Sequence, residues 1–595
     1  MRGSRGCRRG KPRNCRGVVC WHRRPSAARD GEATEPSPPG GHRRVRPVAD
    51  RRCAAGGGAR GRPGFVRPAA VALGTAARGV ADPPRPDEPR FRGRLRPADP
   101  GGNAAAARPI AGRPLIPALL LLLTLAIGIA AVRKTRDSSD FFVAGRRLGS
   151  LRAGLAVAAS AFSGFVFLGG PGLTAEVGFG SLFIVVPAGF TAALLCRTVG
   201  RRLVLIAEAS GAETLPESIA FRFGSRAPAA LAAVAILAGS VIYLGVQLAA
   251  LARAAHFAFP DLSLTTALAL GLAVVLAYSL AGGMVASVNT DVLQAVVMVG
   301  AATAAFFWVM TEVGGPAGVA GSAPARGLDT GGFLEPLGVL DPATGLGFLL
   351  LFSIGTLGQP HMLHKFLMLK SPEALRYLPA VIGGAQGLSI LVWMGLGTGA
   401  LLLLGGAPGS ASGHPDEAAL AILGLPGTPE LLAGLVVAAV LAAIMSTSDA
   451  FLNLGAAALC RDLPRACGRE RFPSLAAARL AALIVGLAAL GIAAWHLAEG
   501  GLIARLGTLG FGAFGASLAP TLLLGLAWRR ISARTATLAM AAGLGSLIAL
   551  ESLLPGFPVP TALLAMAAGF LVLLAAGLLS RPEPVPEPVR LAMTL

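Results

Sequence analysis

Four consecutive polar residues, Ser446, Thr447, Ser448 and Asp449, interrupt the apolar run LAAIMSTSDAFLNLGAAALCRDL, with Asn453 one turn further on. A lone hydroxyl in an apolar helix bonds back to the carbonyl one turn earlier, but four polar residues in a row cover more than one helix face. A carboxylate at the centre of a membrane-spanning helix costs about 2.5–3.5 kcal/mol unless it pairs or faces water. Hydroxyls so placed suit a hard monovalent cation, which takes about five or six neutral or anionic oxygens. Two hydroxyls leave about three ligands to be found elsewhere, and backbone carbonyls can supply them only where a helix unwinds.

Two other apolar runs contain such breaking sequence. The first, AASAFSGFVFLGGPGLTAE, carries Gly169, Gly170, Pro171 and Gly172; the second, LLFSIGTLGQPHMLHKF, carries Gly355, Gly358 and Pro360. Backbone groups freed inside a bilayer persist only when something polar satisfies them, and ions or a solute are natural partners. Tyr243 and Gln247 lie four apart in a further apolar run and therefore share a helix face.

The elements that must hold these groups are membrane helices. The chain has 595 residues, of which 54% are hydrophobic and 14% charged, a composition that excludes a set of soluble domains. From Pro114 onward, apolar runs of bilayer-crossing length recur, and about 13 transmembrane helices are expected, giving an all-α membrane protein. With Pro114 outside, 24 Lys and Arg fall in cytoplasmic segments, leaving only Arg253, Arg326 and Arg505 outside. That asymmetry places the C-terminus in the cytoplasm and predicts a multi-pass protein of the cell (inner) membrane. The broken runs lie five spans apart, so residues 151–312 and 345–528 are expected to form two repeats of opposite orientation.

The formal charge of +22 belongs mostly to one end. Residues 1–113 carry +18 and residues 114–595 only +4. Rich in Arg, Gly, Pro and Ala, the first 113 residues read as a disordered basic extension rather than a nucleic-acid patch. The span count puts them outside, against the charge rule, a conflict that would vanish if the native chain lacked them. Residues 114–580 make the membrane domain, and 581–595 a short cytoplasmic tail that leaves no room for a signalling domain. The seven cysteines show no disulfide or zinc pattern.

Six motifs, in order, resemble the sodium/solute symporter family of proline, pantothenate, acetate, sialic acid and sugar transporters. They are DFFVAGRRLGSL at 140–151, ASAFSGFVFLGGPG at 159–172, TLPESIAFRFG at 214–224, GGMVASVNTDVLQ at 282–294, GTLGQPHMLHKF at 355–366 and MSTSDAFLNL at 445–454. The resemblance covers about residues 137–530 and implies an inverted five-helix-repeat core of the leucine-transporter type, with sodium-driven alternating access. It places a sodium site at the carbonyls of Ala159, Phe162 and Ala443 and the hydroxyls of Ser446 and Thr447. Asp291 and Asp449 are candidates for a second cation or a proton. For Asp291, a carboxylate favoured by a helix N-terminus is an equal reading.

The same resemblance puts the solute among Ser163, Phe165, Tyr243, Gln247, Phe352, Thr356, Gln359 and His361. Relative to proline transporters, Ala161 stands for an aspartate, Phe165 and Phe352 for tryptophans and Thr356 for a tyrosine. The GT-x-G-x-PH pattern at 355–361 is similar to the monocarboxylate-transporting branch. The expected partners are therefore Na+, a small organic solute and the lipid bilayer, with no obligate protein partner and a monocarboxylate or other small anion slightly favoured. A proton-coupled or proline-like permease on the same scaffold is the alternative. An enzyme built on His361, His364 and Asp449 lacks the glutamate and third ligand of a metal hydrolase, and His364 and Lys365 are expected at the cytoplasmic end of the seventh span.

Overall fold

The computed structural model describes residues 115–132, 146, 148–325, 332, 334–404, 414–469, 473–554, 559–582 and 584–594. The basic extension of residues 1–113 lies outside the described residues. Every described element is helical, apart from one bridge between Leu148 and Leu369. Among the described residues, ten helices are long and apolar enough to cross a bilayer, and Leu115–Thr124 and Leu264–Ala277 are shorter apolar helices. The difference from 13 full-length spans also reflects fusion. Phe165–Ser210 runs for 46 residues, although its backbone turns at Gly178, where φ is +74°.

Helix starts follow local chemistry. Ser225, Ser263, Ser474 and Ser532 each cap a long helix by accepting a bond from a first-turn amide, and Asp341 accepts from both Ala343 and Thr344. The TLPESIAFRFG segment is a helix at Leu215–Phe223: the Thr214 hydroxyl accepts from the Glu217 amide, and Gly224 closes the end at φ +58°. Beyond the last span, Glu587–Met593 is also helical and packs on Arg201–Ser210.

The Glu430–Ala457 helix, which carries the polar run, lies at the centre and packs against Arg226–Ala258 and Leu264–Glu312. Its far end is tied to the Leu215–Phe223 region by Arg461, which pairs with Glu213 at 2.6 Å and Glu217 at 2.8 Å, and by Thr214 donating to Asp462 at 2.7 Å. Large apolar side chains such as Leu487, Leu538, Ile548 and Leu571 face outward, as lipid contact requires.

The first broken helix differs from expectation. It unwinds at Phe162, where ψ is 121°, and not at Gly169–Gly172. Those residues continue a helix through a π-turn at Phe165–Gly169 into Gly170–Val177, with Pro171 in the first turn, where a missing amide costs little. The glycines serve close packing instead. A Cβ on Gly170 would lie 2.1 Å from the Trp393 indole, and one on Gly172 would lie 2.8 Å from the Pro415 carbonyl oxygen. The second broken helix unwinds where expected, between Pro342–Gly355 and Pro360–Phe366, with Gln359 extended.

Gly170→Ala is expected to displace the indole and lower stability by about 1–3 kcal/mol, read as the thermal unfolding midpoint in detergent. A second consequence concerns Asp416, which is buried beside Gly172's neighbour Pro415 and accepts from the Ile503 amide at 2.9 Å. Burial pushes its carboxyl up to about 7, although the Ile503 amide and Arg253 favour the anion. Since the unfolded value is about 3.9, the folded state binds more protons between these limits, and stability rises as pH falls through that window. Asp416→Asn should therefore be more stable than the wild type near about pH 8, with the gap narrowing as pH falls below about 7 and closing only below about pH 4.

Candidate ion and solute site

The unwound turn at Phe162 leaves carbonyls without helical partners, and the polar run of the central helix meets them. The Ser446 hydroxyl donates to the Ala159 carbonyl at 2.9 Å and to the Ala443 carbonyl at 3.1 Å. Thr447 donates to the Phe162 carbonyl at 2.8 Å, with the Ser160 carbonyl at 3.4 Å. The five groups expected at the sodium site thus lie together, and both hydroxyls are buried. Ser448 bonds back to the Ile444 carbonyl at 2.7 Å, and the Asn453 amide does the same to the Asp449 carbonyl at 2.9 Å.

Neither extra carboxylate joins these oxygens. Asp449 accepts a bond from Ser279. Asp291, completely buried, pairs with Lys365, whose ammonium also donates to the Ser160 hydroxyl and to the Ala156 carbonyl at 2.8 Å. His364 and Lys365 lie in the last turn of the Pro360–Phe366 helix, and both are buried, with Lys365 only 1% exposed. An internal carboxylate close in space draws the ammonium inward, because a buried Lys is tolerable only when paired. Arg222 and Arg461, counted among cytoplasmic charges, and Arg253, counted outside, are buried as well.

Beside these oxygens lies a cavity of about 90 Å3. Of the residues expected around the solute, Phe165, Tyr243, Phe352, Thr356, Gln359 and His361 line it, whereas Ser163 and Gln247 do not. Those two hold the break. The Gln247 side-chain oxygen accepts from the Gly164 amide at 2.8 Å, and the Ser163 hydroxyl accepts from the Val166 amide at 3.4 Å. An unwound amide has a stronger claim on a buried side-chain oxygen than a transient solute has. Phe352 stacks on Phe165 at 5.9 Å and on Phe511 at 4.3 Å, and His361 and Tyr243 pack on Phe451. Thr191, Gln386, Ser389 and Trp393 complete the polar lining. They lie on spans without breaks or polar runs, so only their isolation in apolar sequence could have pointed to them.

Two unwound helices flanking a small, mainly apolar cavity with a few polar groups, inside a bundle of apolar helices, define a membrane transporter of the discontinuous-helix class. The family model for the sodium:solute symporter family matches residues 141–543, and the chain belongs to that family. A sodium/proline symporter of Haemophilus influenzae is 27% identical over 445 residues, covering 72% of this chain and 86% of that protein. A sodium/pantothenate symporter of Escherichia coli is 28% identical over 447 residues, covering 73% and 89%. The fold is shared with a substrate-bound, outward-open sodium-coupled sialic acid symporter, at a TM-score of 0.62 and 16% identity, over 80% of this chain and 99% of the other.

Breaking the Lys365–Asp291 pair on one side, by Lys365→Met or Asp291→Asn, is expected to cost about 3–5 kcal/mol. Replacing both by apolar residues should cost less than either single change, as measured by thermal unfolding of the three variants.

Proposed function

We propose that this protein is a sodium-coupled symporter that imports a small organic solute by alternating access. In this reading residues 114–580 form the transport domain, with repeats at 151–312 and 345–528, in the cell (inner) membrane with a cytoplasmic C-terminus. The observation that carries it is the meeting of the Ala159 and Phe162 carbonyls with the Ser446 and Thr447 hydroxyls, across more than 280 residues of sequence. A sodium ion entering there takes lone pairs from both sets of oxygens, with Ala443 as the fifth, while the hydroxyl protons turn outward. Phe162 also lines the cavity, so the ion and the solute share one stretch of unwound backbone.

Asp291 and Asp449 serve in this reading as charges positioned by Lys365 and Ser279. The cavity lining holds no Asp, Glu, Lys or Arg, which disfavours a cationic solute. A small monocarboxylate is preferred on the GT-x-G-x-PH pattern, and the similarity to sodium/proline symporters makes a proline-like solute the alternative. Neither choice calls for catalytic chemistry.

Reconstituted in liposomes, the protein should accumulate labelled acetate, lactate or proline under an imposed sodium gradient and not under a proton gradient alone. Ser446→Ala and Thr447→Ala should each raise the half-saturating sodium concentration about 10-fold or more, since a bond to a charged group contributes about 1.5–3 kcal/mol. Unchanged sodium dependence in both variants would remove this site from the mechanism.

A further inference from the structure

The cavity has two polar walls, and only one of them comes from the broken helices. On that wall the Gln359 side-chain oxygen and His361 Nδ1 have no hydrogen-bond partner. On the other, the Thr191 hydroxyl and the Gln386 side-chain oxygen are equally without one, on residues 1% and 5% exposed. A buried polar atom left unmatched costs about 1–3 kcal/mol, so these four, together with the equally unpartnered Trp393 indole nitrogen in the same lining, work against folding unless something that enters satisfies them.

The second wall is built by close helix approach. Ala188–Leu195 packs against Leu378–Gly387, and a Cβ on Gly383 would lie 2.9 Å from the Gly189 carbonyl oxygen. Small residues let the two backbones touch. Thr191 and Gln386 follow that crossing in sequence, and both line the cavity. Between the two walls stand the rings of Phe165, Phe352, Phe511 and Trp393.

We propose that Thr191 and Gln386 form a second anchor that selects a small carboxylate bearing an additional hydrogen-bonding group, a hydroxy, oxo or imino acid, over the plain carboxylate of the same shape. This rests on the reading of the cavity as the solute site. A hydroxyl and a carboxamide can each donate or accept, so the second wall recognises hydrogen bonding without demanding charge. The aromatic middle, whose one unpartnered polar atom is the Trp393 indole nitrogen, accepts a short and mostly apolar link. Selectivity follows from the penalty itself, because an analogue lacking the second polar group leaves Thr191 and Gln386 buried and unmatched.

The test uses the full-length protein in liposomes with a sodium gradient and two matched pairs, L-lactate with propionate and L-proline with cyclopentanecarboxylate. The tracer is labelled lactate or proline, whichever accumulates. In the wild type, the bifunctional member of the recognised pair should inhibit uptake about 10-fold or more better than its plain counterpart. Thr191→Val and Gln386→Leu should shrink that preference to about 3-fold or less, while the sodium-induced rise in thermal unfolding midpoint stays as in the wild type. Gln386→Met, nearer in shape, serves if the leucine variant unfolds. Equal inhibition by both members, or variants that keep the wild-type preference, would overturn the second anchor and assign those groups to bound water, leaving sodium-driven uptake intact. Absence of sodium-dependent uptake of all four compounds by the wild type would instead overturn the reading of the cavity as a carboxylate site, and the anchor with it.

Discussion

The interruption of one helix at Phe162 is the constraint on which the rest of the molecule depends. Peptide groups in an apolar bundle cannot go unpaired, so each group released there must find a partner in the protein. The Ala159 and Phe162 carbonyls take hydroxyl protons from Ser446 and Thr447, and the Gly164 amide is held by Gln247. The same bonds fix the central helix against the broken one. A cluster able to dehydrate a cation is thus also a structural joint, and whatever changes its occupancy bears on the contact between the two helices.

Charge is distributed around this joint with economy. The Lys365 ammonium reaches the Ala156 carbonyl and the Ser160 hydroxyl on the broken helix while pairing with Asp291 on another. A fixed positive group therefore sits within a turn of the oxygens that meet Ser446 and Thr447, and its own counter-ion keeps the region near neutrality. The neighbouring cavity has no charged side chain among its described lining residues. The two sites consequently differ in kind: oxygens and nearby charges at one, neutral hydrogen bonds and aromatic rings at the other.

Close packing of small residues sets the distances. Gly170 makes room for the Trp393 indole, and Gly189 and Gly383 let two helices meet beside the cavity. In lipid the apolar effect does little to hold helices together, so contacts of this kind supply much of the cohesion. They explain why GGPG in the first broken helix reads as a break yet acts as a packing surface. The sequence marks residues that tolerate unwinding, but the neighbours decide whether they unwind.

Sequence alone determined the helical membrane class, the presence of two interrupted spans and the polar residue types of the central helix, because hydropathy, proline and hydroxyls in apolar runs are local signals that the bilayer makes costly. The partnership of Lys365 with Asp291, the use of Gln247 as a clamp and the wall formed by Thr191 and Gln386 were decided only in three dimensions. Each is a contact between residues distant in the chain, one member of which looks ordinary where it stands. Local patterns report what a side chain could do, whereas burial beside a particular neighbour selects which of those things it does.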